Sequence, residues 1–115
     1  MEKREQQQEA RAVTKEEKAY VMSFGSIGCI VSNIYFNAPG TPYDVHHLVG
    51  GGRKGWLFTI PLSPWFHRGV PNIGVSQKRM AELYGPSLAK SKAAFEDRFG
   101  SEEFLLDETK RLLSK

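Results

Sequence analysis

Residues 43–68 read YDVHHLVGGGRKGWLFTIPLSPWFHR, and this stretch decides the fold class. The segment 43–49 has the β-branched and aromatic content of a strand, and the three glycines at 50–52 end it. A second strand is expected over 56–60. The two strands would then form a hairpin with a glycine-rich, basic connection.

A helix is expected directly after this hairpin. Ser63 and Pro64 are the pair typical of an N-cap and first helical position, because the serine oxygen can accept a free backbone N–H and proline has none to lose there. The helix would therefore begin at Trp65 and carry His67 in its first turns. The order strand, strand, helix indicates a small ββα unit.

Further helices are expected on both sides of this unit. Thr14 followed by Glu17 fits a capping box, and a short helix over 15–24 would end before Gly25. It would turn three apolar side chains inward: Tyr20, Val21 and Phe24. Three more helices are expected at 76–84, at 91–99 and from 101 onward. Their apolar residues are expected in the core: Met80, Leu83, Phe95, Phe99, Leu105, Leu106, Leu112 and Leu113. The class is α+β.

Length and composition indicate one domain. The chain has 115 residues, of which 40% are hydrophobic and 25% charged. Residues 1–13 are rich in Gln and Glu and are expected to be a disordered or frayed lead-in to a domain at 14–115. No secretory signal or continuous membrane span is expected, so we expect a cytoplasmic protein with no membrane partner. The single cysteine, Cys29, excludes a disulfide framework and is expected to be buried.

The basic residues cluster around the hairpin. The net charge is +3, and the segment 50–79 contains five Lys or Arg residues and no carboxylate. We expect three of these residues to contact DNA phosphates: Arg53, Lys54 and Arg68. The alternative is an ordinary solvated basic face, which is the commoner meaning of such a run.

All three histidines fall within the ββα unit. A metal-dependent phosphodiesterase can hold its metal with two imidazoles and leave the remaining positions to water and phosphate. A third imidazole can then take the proton of the attacking water. Adjacent strand residues face opposite sides, so His46 and His47 can have different roles. We expect His46 and His67 to bind the metal and His47 to act as the base. Spacing alone leaves open that His46 and His47 are two partly buried, hydrogen-bonded side chains.

Several short runs of the chain resemble one family. The runs are GCI at 28–30, DVHHL at 44–48, GGR at 51–53, TIPLSPWFHRGV at 59–70, GPSLA at 85–89 and AFEDRFGS at 94–101. Together they are similar to the recombination-enhancement, RecA-dependent nucleases (Ref-like) of temperate bacteriophages, a branch of the HNH, or ββα-metal, endonucleases. The resemblance covers about residues 20–113.

The resemblance implies DNA cleavage during recombination in the cytoplasm of a bacterial host cell, with a RecA filament as a partner. It also implies a divalent metal, Mg²⁺ or Mn²⁺ with Zn²⁺ as another option, at His46 and His67, and His47 as general base. The asparagine usual in HNH motifs is absent, and Thr59 is the expected substitute for orienting the base.

The chain departs from the family at a structural zinc site. Relatives carry Cys-x-x-Cys in the region of Cys29, and a Cys followed by two adjacent His in the region of Ser63 to His67. The four zinc positions correspond to 29, 32, 63 and 66, and three of them are Ser32, Ser63 and Phe66 here. One thiolate, Cys29, cannot hold zinc, so no structural zinc is expected there, and an apolar contact near Phe66 is expected in its place. This loss favours a rival interpretation, a catalytically weakened DNA-binding accessory protein of recombination. The three retained histidines favour the nuclease.

Overall fold

A computed structural model of the chain describes residues 13–48 and 55–115. Within these residues the chain forms an α+β fold of six α-helices and one antiparallel pair of strands. In chain order the elements are α1 (Lys15–Met22), α2 (Ile30–Phe36), β1 (Asp44–His47), β2 (Thr59–Leu62), α3 (Pro64–Arg68), α4 (Gln77–Tyr84), α5 (Lys92–Phe99) and α6 (Glu102–Leu113). Short 3-10 turns occupy Ser23–Ser26 and Trp56–Phe58. The hairpin followed directly by a helix confirms the expected ββα unit. Of the expected lead-in at 1–13, residues 1–12 lie outside the described residues, as does the connection at 49–54.

The hairpin differs from the sequence expectation in its second strand. Residues 56–58 form a 3-10 turn, so β2 begins at Thr59 and not at Trp56. The Thr59 hydroxyl closes this turn by donating to the Trp56 carbonyl at 2.7 Å. Pro61 lies within β2 opposite Val45, which is tolerated because a strand of a two-stranded sheet has a free edge.

Serine caps begin most of the helices, as their sequence pattern predicted. The hydroxyl oxygens of four serines accept the backbone N–H three residues later, at Ser63, Ser76, Ser91 and Ser101. Thr14 and Glu17 form the expected capping box on α1. The one difference is that α1 ends at Met22, since the next four residues tighten into a 3-10 turn. Local capping chemistry therefore fixes where these helices begin.

Helix α2 was not expected from the sequence. It follows Gly28, whose φ of 68° suits glycine, and a β-carbon there would lie 2.4 Å from the Thr41 backbone nitrogen. Ile30 and Val31 at the start of α2 are fully buried. The segment Lys15–Phe36 is long and apolar enough to count as a candidate membrane helix. It is instead divided by the break before α2, and α2 packs against β2 and α6.

An aromatic cluster forms the core between α2, α3 and α5. The Phe66 ring lies 6.3 Å from that of Phe36, 6.1 Å from Phe95 and 5.2 Å from Phe99. The expected apolar contact at Phe66 is thus present. Cys29 is buried, as expected. The placement of Leu83 in the core was wrong: it is 44% exposed, because α4 turns Met80 inward.

Candidate active site

The fold brings two of the three histidines together. Strand alternation points His46 inward, where it is 7% exposed, and leaves its neighbour His47 exposed. His67 lies in the last turn of α3, which starts after a single residue beyond β2 and packs against β1. The ring centres of His46 and His67 are 5.0 Å apart. The two side chains expected to share a metal are therefore neighbours, and His47 is separate from them.

A carboxylate from the last helix holds His46. Its Nε2 lies 2.6 Å from Oε2 of Glu102, the first residue of α6, and both side chains are buried. Because a carboxylate only accepts, the ring donates through Nε2. Burial lowers the pKa of His46, although the hydrogen bond to Glu102 opposes this shift. Glu102 thus connects α6 to the hairpin at the buried histidine.

A second carboxylate holds His67. Its Nδ1 lies 2.9 Å from Oδ2 of Asp44, the first residue of β1. Arg68 donates its Nε to the same oxygen at 2.7 Å, and this hydrogen bond lowers the pKa of the Asp44 carboxyl. Asp44 therefore ties the ring of His67 and the guanidinium of Arg68 to the start of the hairpin.

These contacts determine which ring nitrogens face a ligand. With Nε2 of His46 and Nδ1 of His67 directed to carboxylates, the nitrogens left over are Nδ1 of His46 and Nε2 of His67. A carboxylate on the second nitrogen is the usual way in which proteins orient a metal-binding imidazole. Within residues 13–48 and 55–115, no group of three or more His, Cys, Asp or Glu side chains forms a ready metal cage. The two remaining nitrogens are therefore the candidate metal donors, on rings whose centres lie 5.0 Å apart.

The exposed His47 has a different environment. Its ring contacts the Trp56 indole edge to face, with ring centres 4.6 Å apart. Thr59 lies directly opposite His47 in the sheet, but its hydroxyl donates to the Trp56 carbonyl. The Thr59 carbonyl accepts the Tyr20 hydroxyl at 2.7 Å. Thr59 is thus paired with His47 in the sheet, and both residues contact Trp56. The role of Thr59 in orienting the base stays a prediction.

The residues expected to contact DNA are only partly within the described chain. Arg68 lies beside the histidines with an exposed side chain. Arg53 and Lys54 lie outside the described residues. Among the positions of the lost zinc ligands, Ser63 caps α3 and Phe66 fills the aromatic core.

Sequence reasoning missed three residues of the site: Asp44, Trp56 and Glu102. Asp44 could have been found, because it precedes the histidine pair by two residues and so lies on the same face as His46. Glu102 could not, because an acidic residue in the first turn of a helix is typical of any helix.

Comparison with known proteins identifies the family. A family model described as recombination enhancement, RecA-dependent nuclease matches residues 13–114. A search of curated proteins gave no match. The match covers nearly the whole chain, including the hairpin, α3 and the carboxyl helices. This chain belongs to the recombination enhancement, RecA-dependent nuclease family.

Proposed function

We propose that this protein is a metal-dependent DNA endonuclease of the HNH type that acts in recombination together with RecA. Family membership supports nuclease activity linked to RecA. The observation that carries the proposal is the 5.0 Å approach of His46 and His67. It occurs within a hairpin and helix in which His47, the neighbour of His46 along β1, is exposed.

His46 and His67 would hold the divalent metal, Mg²⁺ or Mn²⁺, through the two nitrogens that the carboxylates leave over. When bound, such an ion polarises a phosphate oxygen and stabilises the charge that develops on it. Glu102 and Asp44 act as positioning residues, because each accepts a hydrogen bond from one of the two rings. A Zn²⁺ ion would also suit two imidazoles.

His47 would take the proton from the attacking water. It is exposed, and its ring is held by contact with Trp56, so it can reach a solvent molecule without entering the metal site. Arg68, together with Arg53 and Lys54, would hold the phosphate backbone. These roles divide metal binding, proton transfer and DNA binding among different side chains.

A plasmid-nicking assay tests the proposal. Supercoiled plasmid is incubated with the protein and Mg²⁺ or Mn²⁺, with and without RecA filaments on the DNA. We expect metal-dependent nicking or linearisation that EDTA stops and that RecA filaments increase. The matched control is the double variant His46→Ala, His67→Ala, which should not cleave. Intact plasmid under every metal and RecA condition would favour the accessory DNA-binding protein.

A further inference from the structure

A cavity of about 210 Å³ lies between α2, α3 and α4. Four aromatic side chains line it: Phe36, Trp65, Phe66 and Tyr84. The other side chains around it are apolar or uncharged polar groups. The lining therefore suits a flat, neutral group and disfavours a charged one.

One polar atom in this cavity lacks a partner. Among the described residues, the Thr41 hydroxyl is the buried side-chain oxygen or nitrogen with no hydrogen bond, and Thr41 lines the cavity. An unsatisfied buried hydroxyl is costly, so such groups require an explanation. A ligand with a hydrogen-bonding edge would supply the missing partner.

Two residues that line the cavity are close in sequence to residues of the candidate active site. Thr41 precedes Asp44 by three residues, and Phe66 directly precedes His67 and Arg68. The hydrogen bond from Arg68 to Asp44 connects the segment that follows Phe66 to the segment that follows Thr41. Because Phe66 is bonded to His67, an adjoining nucleotide of a DNA strand whose phosphate lies at the histidines would be within reach of this cavity.

The residue that follows the lining residue Asn72 has an exposed apolar side chain. Asn72 lines the cavity, and the next residue, Ile73, is fully exposed in the turn before Gly74. DNA-binding proteins use such exposed apolar residues as wedges that separate stacked bases. Ile73 is thus one residue from the cavity lining, and its exposed side chain is free to contact DNA.

We propose that this cavity binds one unstacked nucleobase of the DNA strand that lies at the candidate active site. A base is planar and neutral, stacks on aromatic rings and offers a polar edge to the Thr41 hydroxyl. Ile73 would take the place of the base in the stack. The inference rests on the proposed function, since it requires DNA at the histidines.

Binding to two strands of equal charge tests this proposal. Fluorescence anisotropy in EDTA compares a short thymidine strand with an abasic strand of the same length, so that only the bases differ. The protein should prefer the thymidine strand by on the order of tenfold, the loss typical of one stacked base. Ala38→Phe, which fills the cavity from its lining, should abolish this preference. The control Ala81→Phe, at an exposed position of α4, should keep it.

A second variant avoids any effect of a bulky side chain. Thr41→Val removes the unpartnered hydroxyl, so it should weaken thymidine-strand binding without lowering the melting temperature. Equal binding of both strands by the parent protein, or an unchanged preference in both variants, would overturn the proposal. If the protein cleaves plasmid but shows no base preference, the proposed base site in the cavity is wrong and the nuclease proposal is unaffected. Base preference without any plasmid cleavage would support the cavity and overturn the nuclease.

Discussion

At the scale of single residues, the orientation of the His46 and His67 rings depends on two carboxylates. Glu102 and Asp44 each accept a hydrogen bond from one imidazole and so fix the orientation of its ring. In metal sites, mutation of such outer partners typically lowers metal affinity by about 10- to 100-fold. The carboxylates therefore give a direct way to test the proposed metal site without altering a ligand.

Glu102→Gln should weaken metal binding while preserving the fold. The amide keeps the shape of the side chain but removes the charge that holds the His46 ring, so Mn²⁺ affinity should fall by about 10- to 100-fold. Isothermal titration calorimetry measures this affinity. Asp107→Asn, an exposed change on the same helix, is the control and should leave it unchanged. Equal affinities in both variants would remove Glu102 from the site.

Arg68→Gln should weaken DNA binding independently of DNA sequence. Loss of one phosphate contact should flatten the dependence of log Kd on log salt by about one unit. Arg111→Gln is the matched control, because Arg111 is also exposed and paired with a carboxylate, Glu108. Anisotropy titrations over a salt series measure both slopes. A slope that stays the same in Arg68→Gln would mean that Asp44 keeps this guanidinium away from DNA.

At the scale of elements, helix α3, which carries His67, is only five residues long and depends on its cap. Ser63 accepts the Phe66 N–H at 3.2 Å and Pro64 occupies the first position, so the helix begins in a fixed register after β2. This register places His67 against β1. The position of His67, the proposed metal ligand, thus depends on a serine four residues before it.

Ser63→Ala should therefore lower both stability and activity. Loss of the cap costs about 1 kcal/mol of unfolding free energy. Ser91→Ala removes the equivalent cap of α5 and should cost a similar amount. Only Ser63→Ala should slow plasmid cleavage, since only α3 carries His67. Urea denaturation and initial cleavage rates distinguish the two effects. Equal cleavage rates in the two variants would show that the cap does not position the histidine.

The helices α3 to α6 were easier to predict from the sequence than the start of β2 or the presence of α2. Serine caps and glycine stops are local signals, and they located α3 to α6 within a residue or two. The start of β2 depended on a hydrogen bond between Thr59 and Trp56, which no hydrophobic pattern records. Helix α2 has no side-chain cap and contains Ser32 and Asn33, so it forms through burial against β2 and α6. Long-range packing is what the sequence pattern could not supply.

At the scale of the whole molecule, the site joins three elements that are distant in sequence. His46 lies on β1, His67 on α3, and Glu102 at the start of α6, 56 residues after His46. The histidines were predictable because they share one motif. The helix that completes their surroundings was not, because its contact with the hairpin is tertiary.

A shared metal should consequently stabilise the entire fold. Because binding would join β1 to α3, Mn²⁺ at a hundredfold excess over Kd should add about 2.7 kcal/mol to the unfolding free energy. Thermal melts with and without Mn²⁺ measure this effect. His47→Ala should retain the shift in melting temperature, and His46→Ala should lose it. A shift of equal size in both variants would place the metal elsewhere.

The most direct measurement is the single-turnover cleavage rate of three alanine variants, made beside their Mn²⁺ affinity. His47→Ala should cleave about 10² to 10⁴ times more slowly than the parent and bind Mn²⁺ equally well, because it loses only the proton acceptor. His46→Ala and His67→Ala should lose Mn²⁺ binding and cleavage together. Cleavage by His47→Ala at the parental rate would contradict the assignment of this histidine as the base.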